Sequence, residues 1–338
     1  MVAIFAVTLP FFALVLCGYL AAQRHVLPAS AIPGLNAFVL FFALPCLLFR
    51  FGQTTPVLQL LNPAVLGVYL IAALVIVGFT VAVTLGPGTA ARPGVSLKDA
   101  AFGALVAAFP NSGFMGVPLL VAVLGKEAAG PVICTVLADM LVTTSLCLGL
   151  AQAQGAAGAR EAGLRALRGT LSNPLPWAIV LGAMAGVVGW PLPGPVQAIV
   201  KMLADAASPV ALFTIGAVLW RSRDPAHRSA DAAGDDSPPP PAPLRQVAPV
   251  AAIKLLLHPL LVLMLGAGAR QLGVPLSEFQ LTALTLTAAL PSASNVSLLA
   301  ERYGADNGRV ARIIMTSTAM AFITFSAAAW LFGVRPAG

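Results

Sequence analysis

Two asparagines beside prolines carry most of the polar chemistry in an otherwise apolar chain. Asn111 follows Pro110 in "AAFPNSGFMGVPLL" (Ala107–Leu120), with Ser112, Gly113, Gly116 and Pro118 close behind. Asn295 follows Pro291 in "LPSASNVSLLA", in company with Ser292, Ser294 and Ser297. Each Asn amide offers N–H donors and one carbonyl acceptor without a net charge. Proline lacks an N–H and crowds the preceding turn, and glycine loosens the backbone, so a helix through either stretch is interrupted. A half-helix that starts at such a break presents unpaired N–H groups and the positive end of its dipole. Amides, hydroxyls and amino ends together suit a carboxylate better than a cation. The competing reading is a plain proline kink in which Asn and Ser bond back to the backbone.

Ionisable residues inside apolar runs are the second group. Asp139 lies in "TVLADMLVTT", and Lys254 and His258 lie one turn apart in "IKLLLHPLL". Charges in a bilayer are costly and usually functional. Asp139 is a candidate proton or sodium carrier. Lys254 either neutralises a carboxylate or snorkels to the nearer surface, and His258 reads as a packing or interfacial residue. Asn36, after Pro33 and Gly34, either caps its helix or lines the site, with the cap favoured. No acid pair or cage of oxygen ligands is visible, so no sodium or metal site is expected. The four cysteines (Cys17, Cys46, Cys134, Cys147) sit in apolar runs without metal-ligand spacing and read as small hydrophobes.

The elements that must position these residues are membrane helices. Of 338 residues 59% are hydrophobic and 9% charged, with mean hydropathy +0.91, which excludes an ordinary soluble domain. The apolar runs are continuous rather than alternating, which argues against a β-barrel. An all-α polytopic protein of about ten spans is expected, near 2–22, 33–50, 63–85, 100–124, 131–150, 173–190, 196–220, 247–269, 278–300 and 310–333. The first segment lacks a basic leader region and reads as a retained span. Alternate loops divide the basic residues thirteen to five, Lys254 aside. The positive-inside rule then places both termini outside and the loops at 151–172 and 221–246 in the cytoplasm of a cell-membrane protein. The net charge of +7 is thereby a topology signal rather than a nucleic-acid footprint. Ser229–Gln246, rich in Pro, Ala and Asp, reads as a disordered linker.

Two short matches recur in order. "ALPCLLF" (Ala43–Phe49) is similar to "ASPVALF" (Ala207–Phe213), 164 residues on. "AAFP" (Ala107–Pro110) is similar to "AALP" (Ala288–Pro291), 181 residues on, the difference being about the length of the Pro-rich linker. Five spans separate equivalent positions, and an odd number inverts topology. Two inverted repeats are therefore expected, 1–150 and 173–338, with broken fourth and ninth helices that meet near the bilayer midplane. Inverted repeats with discontinuous helices are a transporter signature, and the breaks mark the binding site.

"FPNSGFMGVPLL" resembles the Asn-x-Gly-Phe-x-Gly-x-Pro signature of the auxin efflux carrier family, within the bile acid/sodium symporter-like superfamily. The resemblance continues in "LNAFVLFFALPCLLF" (Leu35–Phe49), "ASPVALFTIGAVL" (Ala207–Leu219) and "PSASNVSLLAERYGAD" (Pro291–Asp306). It implies a ten-helix inverted-repeat fold with crossed helices, and a secondary carrier of organic anions such as malate, malonate or an auxin-like acid. On the family pattern Asn111 and Asn295 stand beside the substrate, and Pro110 and Pro291 make the crossover; Gly113 and Ser294 are read as further substrate-binding candidates and Pro118 as part of the crossover. No cofactor and no enzymatic activity are implied. A homodimer and coupling to protons are left open. Two other classes compete: a channel or sensor on the same fold, and an intramembrane hydrolase, for which neither a second acid nor a nucleophile motif is present.

Overall fold

The computed structural model describes residues 2–56, 60–85, 95–153, 168, 174–189, 192–221 and 244–334. The linkers expected at 151–172 and 221–246 fall largely outside them. The described residues are mostly helical and contain no strand. The helices are α1 (Val2–Gln23), α2 (Ala31–Thr54), α3 (Pro63–Thr84), α4 (Leu97–Ala108), α5 (Ser112–Leu124), α6 (Lys126–Gln152), α7 (Pro174–Val188), α8 (Gly194–Arg221), α9 (Leu244–Gln271), α10 (Glu278–Ala288), α11 (Asn295–Arg302) and α12 (Asn307–Leu331). Seven of them (α1, α2, α3, α6, α8, α9 and α12) are long and apolar enough to cross a membrane. The chain is therefore an integral membrane protein.

Local sequence sets the helix ends. Asn62 caps α3 through Ala64 N–H and Val65 N–H, with Pro63 as the first helical residue. Ser96 caps α4, and Ser277 with Gln280 forms a capping box on α10. Asp306 caps α12 through Arg309 N–H.

Four helices carry one wide turn with i to i+5 bonding, at Val39–Ala43, Ser112–Gly116, Asp139–Thr143 and Ile253–Leu257. Three of these stand just before Pro45, Pro118 and Pro259, each the second residue of the α-helix that follows. A proline has no N–H and crowds the carbonyl four residues back, and the wide turn carries that carbonyl away. The helix therefore runs on through Pro118 instead of breaking there.

The helices approach most closely where glycines replace side chains. A Cβ on Gly18 (α1) would stand 1.8 Å from the Phe213 carbonyl oxygen of α8, and one on Gly216 (α8) 1.8 Å from that of Val15 (α1). Between α2 and α7, a Cβ on Gly182 would meet the Phe49 carbonyl oxygen at 2.2 Å, and one on Gly52 that of Ile179 at 2.6 Å. With no hydrophobic force between helices in lipid, such backbone approach supplies the packing. At the centre, Ala100–Ala108 of α4 are all buried, small side chains letting other helices close around them.

Candidate functional site

Helix α4 has 12 residues and α10 has 11, about 18 Å or less of rise each, well short of a bilayer of about 30 Å. Each is followed by a short non-helical stretch and then a second helical piece. These stretches, 109–111 and 289–294, lie against each other as a single antiparallel bridge between Pro110 and Ser292. Asn111 N–H donates to the Pro291 carbonyl at 2.8 Å, and Ala293 N–H donates to the Phe109 carbonyl at 3.0 Å. Each break thus supplies the partners that the other lost, which is how interrupted backbone survives away from water. Ser292 N–H also reaches Ser317 Oγ on α12 at 3.2 Å, and the two hydroxyls stand 3.1 Å apart. A Cβ on Gly116 would lie 2.8 Å from Leu290 Cδ1, the end of a side chain that can turn aside.

The two asparagines have hydrogen-bonding capacity to spare. Asn111 is buried, Asn295 is half-buried, and the Oδ1 of each is buried without a partner. A half turn about the Cβ–Cγ bond exchanges Oδ1 for Nδ2, so either amide can present a donor at that position. A buried amide left unsatisfied costs about 1–3 kcal/mol, which a ligand recovers. Beside Asn295 lies a cavity of about 20 Å³, lined by Asn36, Phe114, Ile215, Arg221, Ser294 and Asn295 among others. Asn111 and Gly113 are not among its lining residues. A Cβ on Gly113 would meet nothing within 4 Å, so that glycine borders open space. Pro110 and Pro291 belong to the paired stretches, and Pro118 stands one helical turn and more away in α5.

The buried ionisable residues meet in one group on α3, α6 and α9. Asp139 accepts from Tyr69 Oη at 2.7 Å and from Thr143 Oγ1 at 3.1 Å. Lys254 Nζ donates to the Ala288 carbonyl at 2.6 Å and lies 3.3 Å from His258 Nδ1. The Tyr69 and His258 rings are 5.9 Å apart. Asp139, Lys254, His258 and Tyr69 are each 0% exposed. The snorkelling and interfacial readings of Lys254 and His258 are thereby overturned. Lys254 fails to reach the surface because α10 supplies a carbonyl inside the protein, and that carbonyl belongs to the last residue before the second break.

Asn36 requires a correction too. Ser30 occupies the cap position of α2, and Asn36 lies five residues into the helix with the cavity before it. Sequence reasoning missed four other participants. Tyr69 is a polar handle inside a 22-residue apolar helix, a signal open to reading. Arg221 was absorbed into the count of basic loops. Ser317 carries no signal. Nor does the strut by which Arg309 Nη1 donates to the Asp99 carbonyl at 2.9 Å while Asp99 Oδ1 accepts from Asp306 N–H at 2.8 Å. That strut ties the start of α4 to the turn before α12.

The family described as "Membrane transport protein" matches residues 3–330. The chain belongs to that family. It is the auxin efflux carrier family whose signature "FPNSGFMGVPLL" resembles. A similar member is the "Putative malonate transporter" of Rhizobium meliloti (strain 1021), 28% identical over 346 aligned positions that cover 100% of this chain and 99% of the relative. The "Uncharacterized transporter YfdV" of Escherichia coli (strain K12) is 26% identical over 298 positions, 87% of each chain. An "Uncharacterized transporter" of Methanothermobacter thermautotrophicus is 26% identical over 311 positions, 92% of each chain.

Proposed function

We propose that this membrane transport protein is a secondary carrier that moves a small organic anion, a carboxylate such as malonate or malate, by alternating access. The observation that carries the reading is the paired helix breaks, with two asparagines whose Oδ1 atoms are buried without a partner. A carboxylate accepts from turned Asn111 and Asn295 amides and from N–H groups at the starts of α5 and α11, and Gly113 and Ser294 leave it room. The name of the Rhizobium relative agrees with that chemistry.

Ten spans arranged as two inverted five-helix repeats underlie the mechanism, with α4–α5 and α10–α11 each counted as one broken span. What supports the repeat is the set of closest helix contacts. Gly18 and Gly182, Phe213 and Phe49, Gly216 and Gly52, and Val15 and Ile179 are each separated by 164 residues. That is the offset read between the "ALPCLLF" and "ASPVALF" motifs. A pseudo-two-fold operation thus carries the α1–α8 contact onto the α7–α2 contact. The four glycine-packed helices form one body, and the remainder, holding both breaks, moves against it. Asp139 and Lys254 are proposed as the coupling group, because Lys254 is bonded to the end of α10 and so to the moving element.

The test is uptake of labelled mono- and dicarboxylates into proteoliposomes, with and without a pH gradient, plus counterflow. Saturable uptake with counterflow is the expected result. Linear, non-saturating flux would indicate a channel, and no flux of any acid from folded protein would remove the anion-carrier reading.

A further inference from the structure

The cavity beside Asn295 has one charged wall. Arg221 is the last residue of α8, and Ile215, Val218 and Arg221 line the cavity from one stretch of that helix. Arg221 is only partly exposed. The rest of the polar lining is uncharged, namely Asn36, Ser294, Asn295 and Ser297. No carboxylate lines the cavity, and among the described residues none pairs with Arg221. Asn295, whose Oδ1 is buried without a partner, lines the same cavity. The cavity is thus lined both by a cationic residue and by an amide with an unpartnered oxygen.

A guanidinium presents five N–H donors in a planar fork that matches a carboxylate. Burial against apolar neighbours such as Phe114 and Ile215 strengthens such a pair relative to water. The paired breaks by themselves are neutral and offer hydrogen bonds suited to one carboxylate. A substrate with a single carboxylate held there leaves the Arg221 charge unanswered. We infer that Arg221 is a specificity-determining residue: its guanidinium takes the second anionic group of the substrate, so that the cavity reads the number of negative charges on the ligand. At about 20 Å³ the cavity admits roughly one water, so engagement requires α8 and α11 to part at this end. The inference rests on the anion-carrier reading above.

The experiment compares wild type, Arg221→Gln and Arg221→Lys in proteoliposomes. It measures apparent affinities for malonate, a dianion at neutral pH, and for monomethyl malonate, a monoanion of similar size. Wild type is expected to prefer the dianion. Arg221→Gln is expected to lower that preference about tenfold or more, as loss of a charge-assisted bidentate contact does, and Arg221→Lys to restore part of it. Arg221 lies at a helix end, so both variants should fold, and Arg221→Lys, which keeps the charge but not the planar fork, still tests the role if Arg221→Gln does not fold. An unchanged dianion-to-monoanion ratio, or equal losses for both ligands, would overturn the role of Arg221 and leave the carrier reading standing. Failure of the wild type to bind or move either ligand would overturn both.

Discussion

Gly216→Ala tests the helix contacts on which the inverted repeat rests. The new Cβ would stand 1.8 Å from the Val15 carbonyl oxygen and 2.6 Å from Tyr19 N. An ordinary carbon–oxygen contact is about 3.3 Å, so α1 and α8 must separate by about 1.5 Å. A radial gap of half that size already forfeits a quarter to a half of each contact's dispersion energy along the seam. Backbone atoms cannot swing aside as a flexible side chain does. The cost belongs at the upper end of the overpacking range, about 3 kcal/mol. Gly18→Ala should cost as much, since its Cβ would be 1.8 Å from the Phe213 oxygen. Gly182→Ala, 164 residues on and at 2.2 Å from the Phe49 oxygen, should follow closely. Gly78→Ala on the exposed face of α3 meets nothing within 4 Å and serves as the control. It should be neutral or gain up to about 1 kcal/mol from helix propensity. The assay is unfolding by denaturing detergent titrated into mixed micelles. If Gly18→Ala and Gly216→Ala fall within about 0.5 kcal/mol of the control, the reasoning from close approach is refuted. If Gly18→Ala is severe and Gly182→Ala silent, the equivalence of the two halves fails.

Other perturbations reach the buried polar group and the breaks. Lys254→Met leaves the Ala288 carbonyl without its ammonium donor and should cost about 1–3 kcal/mol in the same titration; an unchanged midpoint would mean that the contact carries no stability. Tyr69→Phe removes one of two hydroxyl donors to Asp139 and should cost about 1–3 kcal/mol, with Asp139→Asn/Tyr69→Phe costing less than the sum of the singles if the bond is the cause. Asp139→Asn should leave uptake insensitive to an imposed pH gradient, whereas retained sensitivity would move the coupling group elsewhere.

Much of this molecule could be read from its sequence because lipid permits few solutions. Apolar length sets where the long helices lie. The two proline–asparagine stretches flag backbone that only a protein interior or water can satisfy. "ALPCLLF" and "ASPVALF" lie in α2 and α8, each of which supplies a carbonyl and a glycine to the close helix contacts. What escaped depends on which neighbour a residue faces. Nothing in "IKLLLH" says that α10 brings the Ala288 carbonyl to Lys254, so surface escape was an equal reading. Asn36 follows Pro33 and Gly34 as a cap residue would, but Ser30 takes that position and leaves Asn36 to the cavity. Pro118 has the same chemistry as Pro110, and only the wide turn at Ser112–Gly116 separates a helix that continues from one that stops.

The central claim is that a carboxylate is carried at the paired breaks. The most direct measurement is the initial rate of labelled malonate uptake into proteoliposomes by wild type, Asn111→Ala, Asn295→Ala and the double variant. Reconstitution and unfolding midpoints are measured for each. Saturable uptake is expected of wild type, with a large loss in each single variant and background rates in the double variant, all four proteins being folded. Wild-type rates from the folded double variant would contradict the claim.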